Sequence, residues 1–224
     1  MFILLHGAGL GAWIWDDVLP HLNAPARALD LPGRGDGTNP GDVTLEQCVD
    51  FVASQLEAGT VLVGHSFSAE VALAVATRHP DKVKSLVLVG GVVPESGRNF
   101  LSLVPLPMRL FLRVVIGRSK NGVAIPKGEV RKGYCNDLDD FTCTRVVQKL
   151  TREAPRLYLD PVTWSLPDSM PRIYVKLLED HSIKPSDQDA MTARFRATQV
   201  ETLPTGHLPM LGKPADLAGI LNRA

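Results

Sequence analysis

Thr60-Val61-Leu62-Val63-Gly64-His65-Ser66-Phe67-Ser68, running on into Ala69-Glu70-Val71-Ala72-Leu73-Ala74-Val75-Ala76, decides the fold of this 224-residue chain. Thr60–Val63 is a short, apolar, β-branched run of the kind that forms a buried strand. Ala69–Ala76 reads as an apolar helix. A serine pinched between such a strand and such a helix is a nucleophile elbow, a sharp strained turn that lifts the hydroxyl above the sheet edge. Strand and helix backbones approach closely there, so the neighbours must be small. Gly64 meets that need. Ser68 stands where the usual G-x-S-x-G pattern has its second glycine, and Ala69 keeps the following position small. The same string also fits a plain strand–turn–helix connection with an incidental serine, so its surroundings must decide.

Working outward, strand and helix alternate. Phe2–His6, Ala26–Leu31, Thr60–Val63, Val83–Val89, Arg172–Leu178 and Gln199–Leu203 read as strands. Trp13–Leu22, Thr44–Leu56, Phe67–Arg78, Ser186–Arg196 and Pro214–Asn222 read as helices. Thr44 is a natural N-cap, with Gln47 three residues on at capping-box spacing. Alternation with continuously apolar strands predicts an α/β fold: a mostly parallel sheet with helices on both faces. Ligands of such sheets bind beyond the carboxyl ends of the strands. His6, Ser66, Asp180 and His207 all fall at or just past such ends.

From Val92 to about Met170 the alternation stops. Prolines are frequent (Pro94, Pro105, Pro107, Pro126, Pro155, Pro161, Pro167), and apolar segments such as Phe100–Ile116 look helical. The stretch is too long for a loop in a compact domain. It is expected to be a mainly helical cap, residues 92–170, inserted into a core made of 1–91 and 171–224.

Serine chemistry needs a base, a group that orients the base, and donors for an oxyanion. His207, in Thr205-Gly206-His207-Leu208-Pro209, follows the last strand and precedes the last helix, where a loop histidine can reach back toward the elbow. Asp180, just after the strand Arg172–Leu178, is the candidate orienting acid, with Glu179 and Asp187 as competitors. The order Ser…Asp…His is the one this architecture uses. The oxyanion donors are expected to be the backbone N–H groups of Phe67 and, in the glycine-rich turn after the first strand, Ala8. His6 is expected to brace that turn by hydrogen bonding. His21, His65, His79 and His181 are expected to be solvated or structural.

A rival reading starts from the same turn. Gly7-Ala8-Gly9-Leu10-Gly11-Ala12 formally matches G-x-G-x-x-G/A, and Asp30 ends the next strand about 20 residues on, as a dinucleotide site requires. Against it, His6 precedes the first glycine and bulky Trp13 and Trp15 open the next segment. It also leaves Ser66, Asp180 and His207 without a role.

Composition narrows the rest. Hydrophobic residues make up 45% and charged residues 21%, as in ordinary globular proteins. Twenty-four Lys and Arg balance 24 Asp and Glu, so the expected partner is a small molecule rather than nucleic acid or a membrane. The chain opens on the strand Phe2-Ile3-Leu4-Leu5 without a charged leader, and Cys48, Cys135 and Cys143 form no paired spacing; a reduced, cytoplasmic protein is expected. The histidines show no metal-ligand spacing, so no metal is expected.

With these residues assembled, the chain resembles the α/β-hydrolase superfamily over nearly its whole length. Within it, the chain is similar to the branch that holds plant methyl-ester esterases of the salicylate-binding type and hydroxynitrile lyases. The resemblance is carried by Leu5-His6-Gly7-Ala8-Gly9-Leu10-Gly11-Ala12-Trp13-Ile14-Trp15, Ala28-Leu29-Asp30-Leu31-Pro32-Gly33, Val61–Phe67, Glu179-Asp180-His181-Ser182-Ile183 and Gly206–Leu211. It implies an α/β-hydrolase fold and a cofactor-independent serine esterase with Ser66, His207 and Asp180 as triad; the apolar residues between Phe100 and Leu112 suggest a mainly hydrophobic pocket, and so a small, hydrophobic ester as substrate. The lyases of this branch carry a threonine where this chain has Gly7 and a lysine where it has Leu208, so esterase chemistry is favoured. The same triad also serves lactone, thioester and C–C hydrolysis, cofactor-free dioxygenation, biosynthetic cyclisation and ligand reception. Gly7, His65, Trp13 and Leu208 are expected beside the substrate, along with apolar residues of the cap. In this fold an exposed cap surface often supports a homodimer.

Overall fold

A computed structural model describes residues 1–224. Six strands, β1 (Phe2–Leu5), β2 (Ala26–Leu29), β3 (Thr60–His65), β4 (Val83–Val89), β5 (Arg172–Leu177) and β6 (Gln199–Leu203), form one sheet. Their order is β2-β1-β3-β4-β5-β6, and every neighbouring pair is parallel. The chain winds outward from β1 to one edge, then back across to the other. The crevice at the carboxyl ends of β1 and β3 is therefore the topological switch point, where open α/β sheets bind ligands.

The inner strands β1, β3, β4 and β5 alternate their side chains between two apolar layers. Ile3, Leu5, Leu62, Leu86 and Leu88 face α1 (Leu45–Ser54), α2 (Ala69–Arg78) and, through Met191 and Phe195, α7 (Pro185–Phe195). Phe2, Leu4, Val61, Val63, Val87 and Val89 face the opposite layer, with Trp15 and α9 (Pro214–Leu221). Burial on both sides is why β1 and most of β3 read as apolar runs, whereas the edge strands β2 and β6 are partly exposed and carry polar residues. The Thr44 capping box forms: Gln47 N–H donates to Thr44 Oγ1, and Thr44 N–H donates to Gln47 Oε1.

One predicted helix is absent. Trp13–Leu22 folds as two 3-10 turns, Ala12–Trp15 and Leu19–His21. Pro20 has no N–H to donate and its ring clashes with the preceding turn of an α-helix, so a continuous helix cannot pass it. Residues 92–170 are built from short helical pieces: a 3-10 turn at Phe100–Leu103, α3 (Leu106–Gly117), α4 (Lys127–Glu129) running into a π-turn at Val130–Tyr134, α5 (Asp140–Gln148) and α6 (Pro155–Leu159). They share the core: Leu101, Leu157 and Val162 lie in the first apolar layer, Val130 and Val146 in the second. A last short helix, α8 (Pro209–Gly212), precedes α9. No helix is long and apolar enough to cross a membrane.

Candidate active site

Ser66 follows the last residue of β3 with φ +53°, left-handed backbone that a non-glycine residue adopts at a cost of about 1–3 kcal/mol. The neighbours hold it there. A Cβ on Gly64 would sit 3.0 Å from both Ala69 Cα and Ala72 Cβ, so only glycine lets β3 and α2 close on each other. Ser68 fills the place of the second motif glycine and uses its hydroxyl. It accepts from His65 N–H at 3.1 Å and lies within donating distance of the His65 carbonyl (3.1 Å) and the Leu5 carbonyl (3.2 Å). Val92 N–H donates to the Ser66 carbonyl at 3.0 Å, which ties the turn to the chain leaving β4.

The three residues expected from sequence form one hydrogen-bonded chain. His207 Nε2 lies 3.0 Å from Ser66 Oγ, and His207 Nδ1 lies 2.8 Å from Asp180 Oδ2. His207 and Asp180 are fully buried. Asp180 Oδ1 accepts from the backbone N–H groups of Ser182 (2.7 Å) and Ile183 (2.9 Å), which fixes the carboxylate, while Oδ2 meets the imidazole and, at 3.4 Å, Gln188 Nε2. Gln188 of α7 locks that loop: it accepts from Leu177 N–H and donates to the Ile183 carbonyl. Glu179 is exposed, and Asp187 lies exposed at the cavity wall, so neither competitor occupies this place.

The turn after β1 is held as firmly. His6 Nδ1–H donates to the Gly7 carbonyl (2.9 Å) and Nε2 accepts from Leu31 N–H (3.2 Å). Burial, with the nearby Arg34 charge, lowers the His6 pKa to about 3, so it is a neutral brace. Asp30, the residue a dinucleotide site would need, accepts from Ala12 N–H at 2.6 Å instead. The segment it caps is a 3-10 turn, with no α-helix N-terminus to receive a pyrophosphate.

Sequence reasoning missed the groups that clamp this turn from residues 92–170. Arg34 and Glu153 form a buried ion pair at 2.5 Å. Glu153 Oε2 also accepts from Gly9 N–H (3.0 Å), while Arg34 Nε donates to the Leu10 carbonyl (3.0 Å). Thr151 N–H donates to the Gly9 carbonyl, and Tyr134 Oη–H to the Ala8 carbonyl. Ala8 N–H, the expected oxyanion donor, thus sits in a turn fixed at three successive residues. Asp137 does the same for the histidine loop, accepting from Gly206 N–H (2.6 Å) and Thr205 Oγ1–H (2.8 Å). Tyr134 packs its ring 4.8 Å from that of His207. Nothing in the sequence singles these residues out, since they stand among many other charged and polar residues between Lys127 and Glu153.

A cavity of about 650 Å³ opens over Ser66. Ala8 and Phe67 line its base, and Phe100, Leu103, Tyr158 and Met191 line its walls. Phe67, Phe100 and Tyr158 pack together with ring centroids 4.5–5.4 Å apart. The other four residues expected there lie elsewhere. His65 points away from the cavity and donates from Nε2 to the His207 carbonyl at 2.9 Å, supporting the histidine from behind. Burial holds its pKa well below the usual histidine range. Gly7 backs onto His65, where a Cβ would come within 2.8 Å of its Nδ1. Leu208 is buried in the second apolar layer, and Trp13 packs under Lys149 Nζ. Adjacency in sequence to a triad or turn residue does not by itself bring a side chain to the cavity: Phe67 reaches it, His65 and Leu208 do not. No group of three or more His, Cys, Asp or Glu side chains is placed to hold a metal ion.

Comparison with known proteins bears on the fold and the family. Esterase PIR7B of Oryza sativa subsp. japonica is 31% identical over 258 residues, covering 98% of this chain and 93% of the rice protein. Pimeloyl-[acyl-carrier protein] methyl ester esterase of Neisseria meningitidis is 42% identical over 87 residues. That match takes in 38% of this chain and 28% of the relative's length. Among solved structures, an extracellular alpha/beta-hydrolase from a Paenibacillus species, described as sharing homology with tobacco salicylic acid binding protein 2, superimposes with TM-score 0.85 at 20% identity, covering 100% of this chain and 98% of that one. The alpha/beta hydrolase family model matches residues 2–220, and the chain belongs to that family.

Proposed function

We propose that the chain is a cofactor-independent serine esterase acting on a small, hydrophobic carboxylic ester. The observation that carries this reading is the unbroken Asp180–His207–Ser66 hydrogen-bond chain ending at the base of a mainly apolar cavity, whose rim also carries Glu129, His181, Asp187 and Arg194. Ser66 Oγ attacks the acyl carbon as His207 Nε2 takes its proton. Asp180 holds the Nδ1–H tautomer and stabilises the imidazolium that forms. The N–H groups of Ala8 and Phe67 receive the developing oxyanion, each such donor being worth about 10²–10³ in rate. His207 then protonates the leaving alcohol, and water, deprotonated by the same imidazole, releases the acid.

Supporting the ester over cyanohydrin cleavage, position 208 carries an uncharged, buried leucine where the lyases place a lysine, so a departing cyanide has no cation there. Relatives named as esterases agree. The test is hydrolysis of short p-nitrophenyl esters together with labelling by a fluorophosphonate probe. Wild type is expected to turn over and label, and Ser66→Ala to do neither. Retention of turnover by Ser66→Ala would refute the mechanism.

A further inference from the structure

Helix α3 stands out because it buries so little of its apolar surface. Only Ile116 is buried, and Leu112 is half-buried beside it. Arg109 fastens the first turn by donating to the Ser102 and Val104 carbonyls. Leu106, Leu110 and Phe111 are 61, 59 and 62% exposed, and Met108, Val114 and Val115 are about half exposed. At about 100° per residue, these six cover an arc of roughly 200° on the side away from Ile116. A helix in water normally shows that side as polar.

Along the chain, the charges on either side of it are all of one sign. No Asp or Glu stands between Glu95 and Glu129, while Arg98, Arg109, Arg113, Arg118, Lys120 and Lys127 do. Not one of these cations takes part in an ion pair. Arg113, Arg118 and Lys120 are exposed on α3 and the turn that follows it. The zero net charge of the whole chain conceals this local excess.

We propose that α3 docks on an anionic lipid surface, inserting Leu106, Leu110, Phe111, Val114 and Val115 among acyl chains while Arg113, Arg118 and Lys120 meet the headgroups. An apolar arc flanked by free cations is the pattern of helices that lie in the membrane interface. A second copy of the chain fits less well, since a two-fold contact sets this face against itself and brings its unpaired cations together. Docking itself does not depend on the esterase reading. One consequence rests on that reading: Phe100, Leu103 and Val104, just before α3, line the cavity wall, so the docked orientation puts the cavity beside the lipid and favours esters dissolved in it.

The experiment is co-sedimentation of the full chain with vesicles of phosphatidylcholine alone or of phosphatidylcholine and phosphatidylglycerol at 3:1, with sedimentation velocity on the free protein. Wild type should bind the anionic vesicles and be released by high salt. Each exposed cation contributes about fivefold near such a surface, so Arg113→Glu/Arg118→Glu/Lys120→Glu should bind at least roughly a hundredfold more weakly. Phe111→Asp/Val115→Asp should also lose binding, with hydrolysis of a water-soluble p-nitrophenyl ester unchanged. Equal binding to neutral vesicles, no binding to either, or a dimer that Phe111→Asp/Val115→Asp dissolves would each overturn the proposal; the last would assign the face to self-association. Ester hydrolysis failing in wild type while anionic vesicles still bind would count against the esterase reading alone.

Discussion

Removing Glu153 tests whether the clamp on the turn after β1 matters for chemistry or only for folding. Glu153 and Arg34 have side chains just 3% exposed, and their contact is 2.5 Å. Glu153→Ala leaves the guanidinium buried without its counter-charge. Breaking a buried pair on one side costs about 3–5 kcal/mol, a large fraction of the 5–15 kcal/mol that holds a domain together. At about 2–4 °C per kcal/mol for a chain of this size, the melting temperature should fall by roughly 6–20 °C. Gly9 N–H loses its acceptor at the same time, and the neighbouring Ala8 N–H should drift from its aim. Loss of one oxyanion donor bounds the effect on kcat at about 10²–10³. Arg34→Met/Glu153→Leu separates the two effects. Removing both charges should recover most of the melting temperature, short by the 1–3 kcal/mol of an unsatisfied buried N–H, while kcat stays low. The assays are scanning calorimetry and steady-state hydrolysis of p-nitrophenyl acetate. A single variant melting within 2 °C of wild type, or a double variant that regains both stability and kcat, refutes the reasoning.

Three further outcomes are expected. Asp180→Asn should keep the Ser182 and Ile183 N–H contacts on one oxygen but present an amide donor to His207 Nδ1, favouring the wrong tautomer; kcat should fall about 10⁴-fold with the fold intact by circular dichroism. Glu70, on the first turn of α2, has both carboxylate oxygens buried without a partner, and burial raises its pKa well above the usual range. The folded state keeps a proton there that the unfolded chain releases near pH 4.5, so this group lowers stability as pH rises, by up to about 1.4 kcal/mol per unit until the folded pKa is reached. Glu70→Met should therefore be more stable than wild type in urea, by a margin that widens from pH 5 to pH 8; an equal margin at both sinks the idea. His6 carries the opposite sign: it stays neutral down to about pH 3 in the fold, whereas the unfolded chain protonates near 6.5. Stability should fall as pH drops from 6.5 toward 3, and His6→Asn should flatten that slope; an unchanged slope rules out this cause.

Legibility of the strands did not require burial on both faces. Val83–Val89, buried but for Lys84, and the edge strand Gln199–Leu203, buried only at Leu203, both come out of the sequence with the bounds they have in the structure. Trp13–Leu22 misleads because Ile14, Trp15 and Val18 are all fully buried at spacings a helix would also produce. Two 3-10 turns bury the same side chains while letting Pro20 begin a new turn. Within 92–170 four of the seven prolines stand at helix starts rather than inside helices: Pro105 precedes α3, Pro107 lies in its first turn, Pro126 precedes α4, and Pro155 is the first residue of α6. A proline fixes φ where the first helical residue needs it and forfeits an N–H that would be unsatisfied anyway.

The site divides along a similar line. Ser66, Asp180 and His207 each stand just beyond the carboxyl end of a strand, so local pattern and chain order suffice to find them. Glu153 reaches Gly9 across 144 positions and Asp137 reaches Gly206 across 69. No local pattern encodes those contacts; they exist because buried backbone N–H groups need acceptors. Glycine in the motif is a statement about space, and space differs position by position. At Gly7 and Gly64 an added Cβ would come within 2.8–3.0 Å of its neighbours, the His65 ring at Gly7 and Ala69 and Ala72 at Gly64, so a side chain there requires those neighbours to shift. At position 68 a side chain fits, and its hydroxyl holds the strand end and the elbow together. The departure from the G-x-S-x-G pattern therefore leaves the turn intact, because what the turn requires at 68 is a small group without an unmet polar atom, and serine satisfies both conditions.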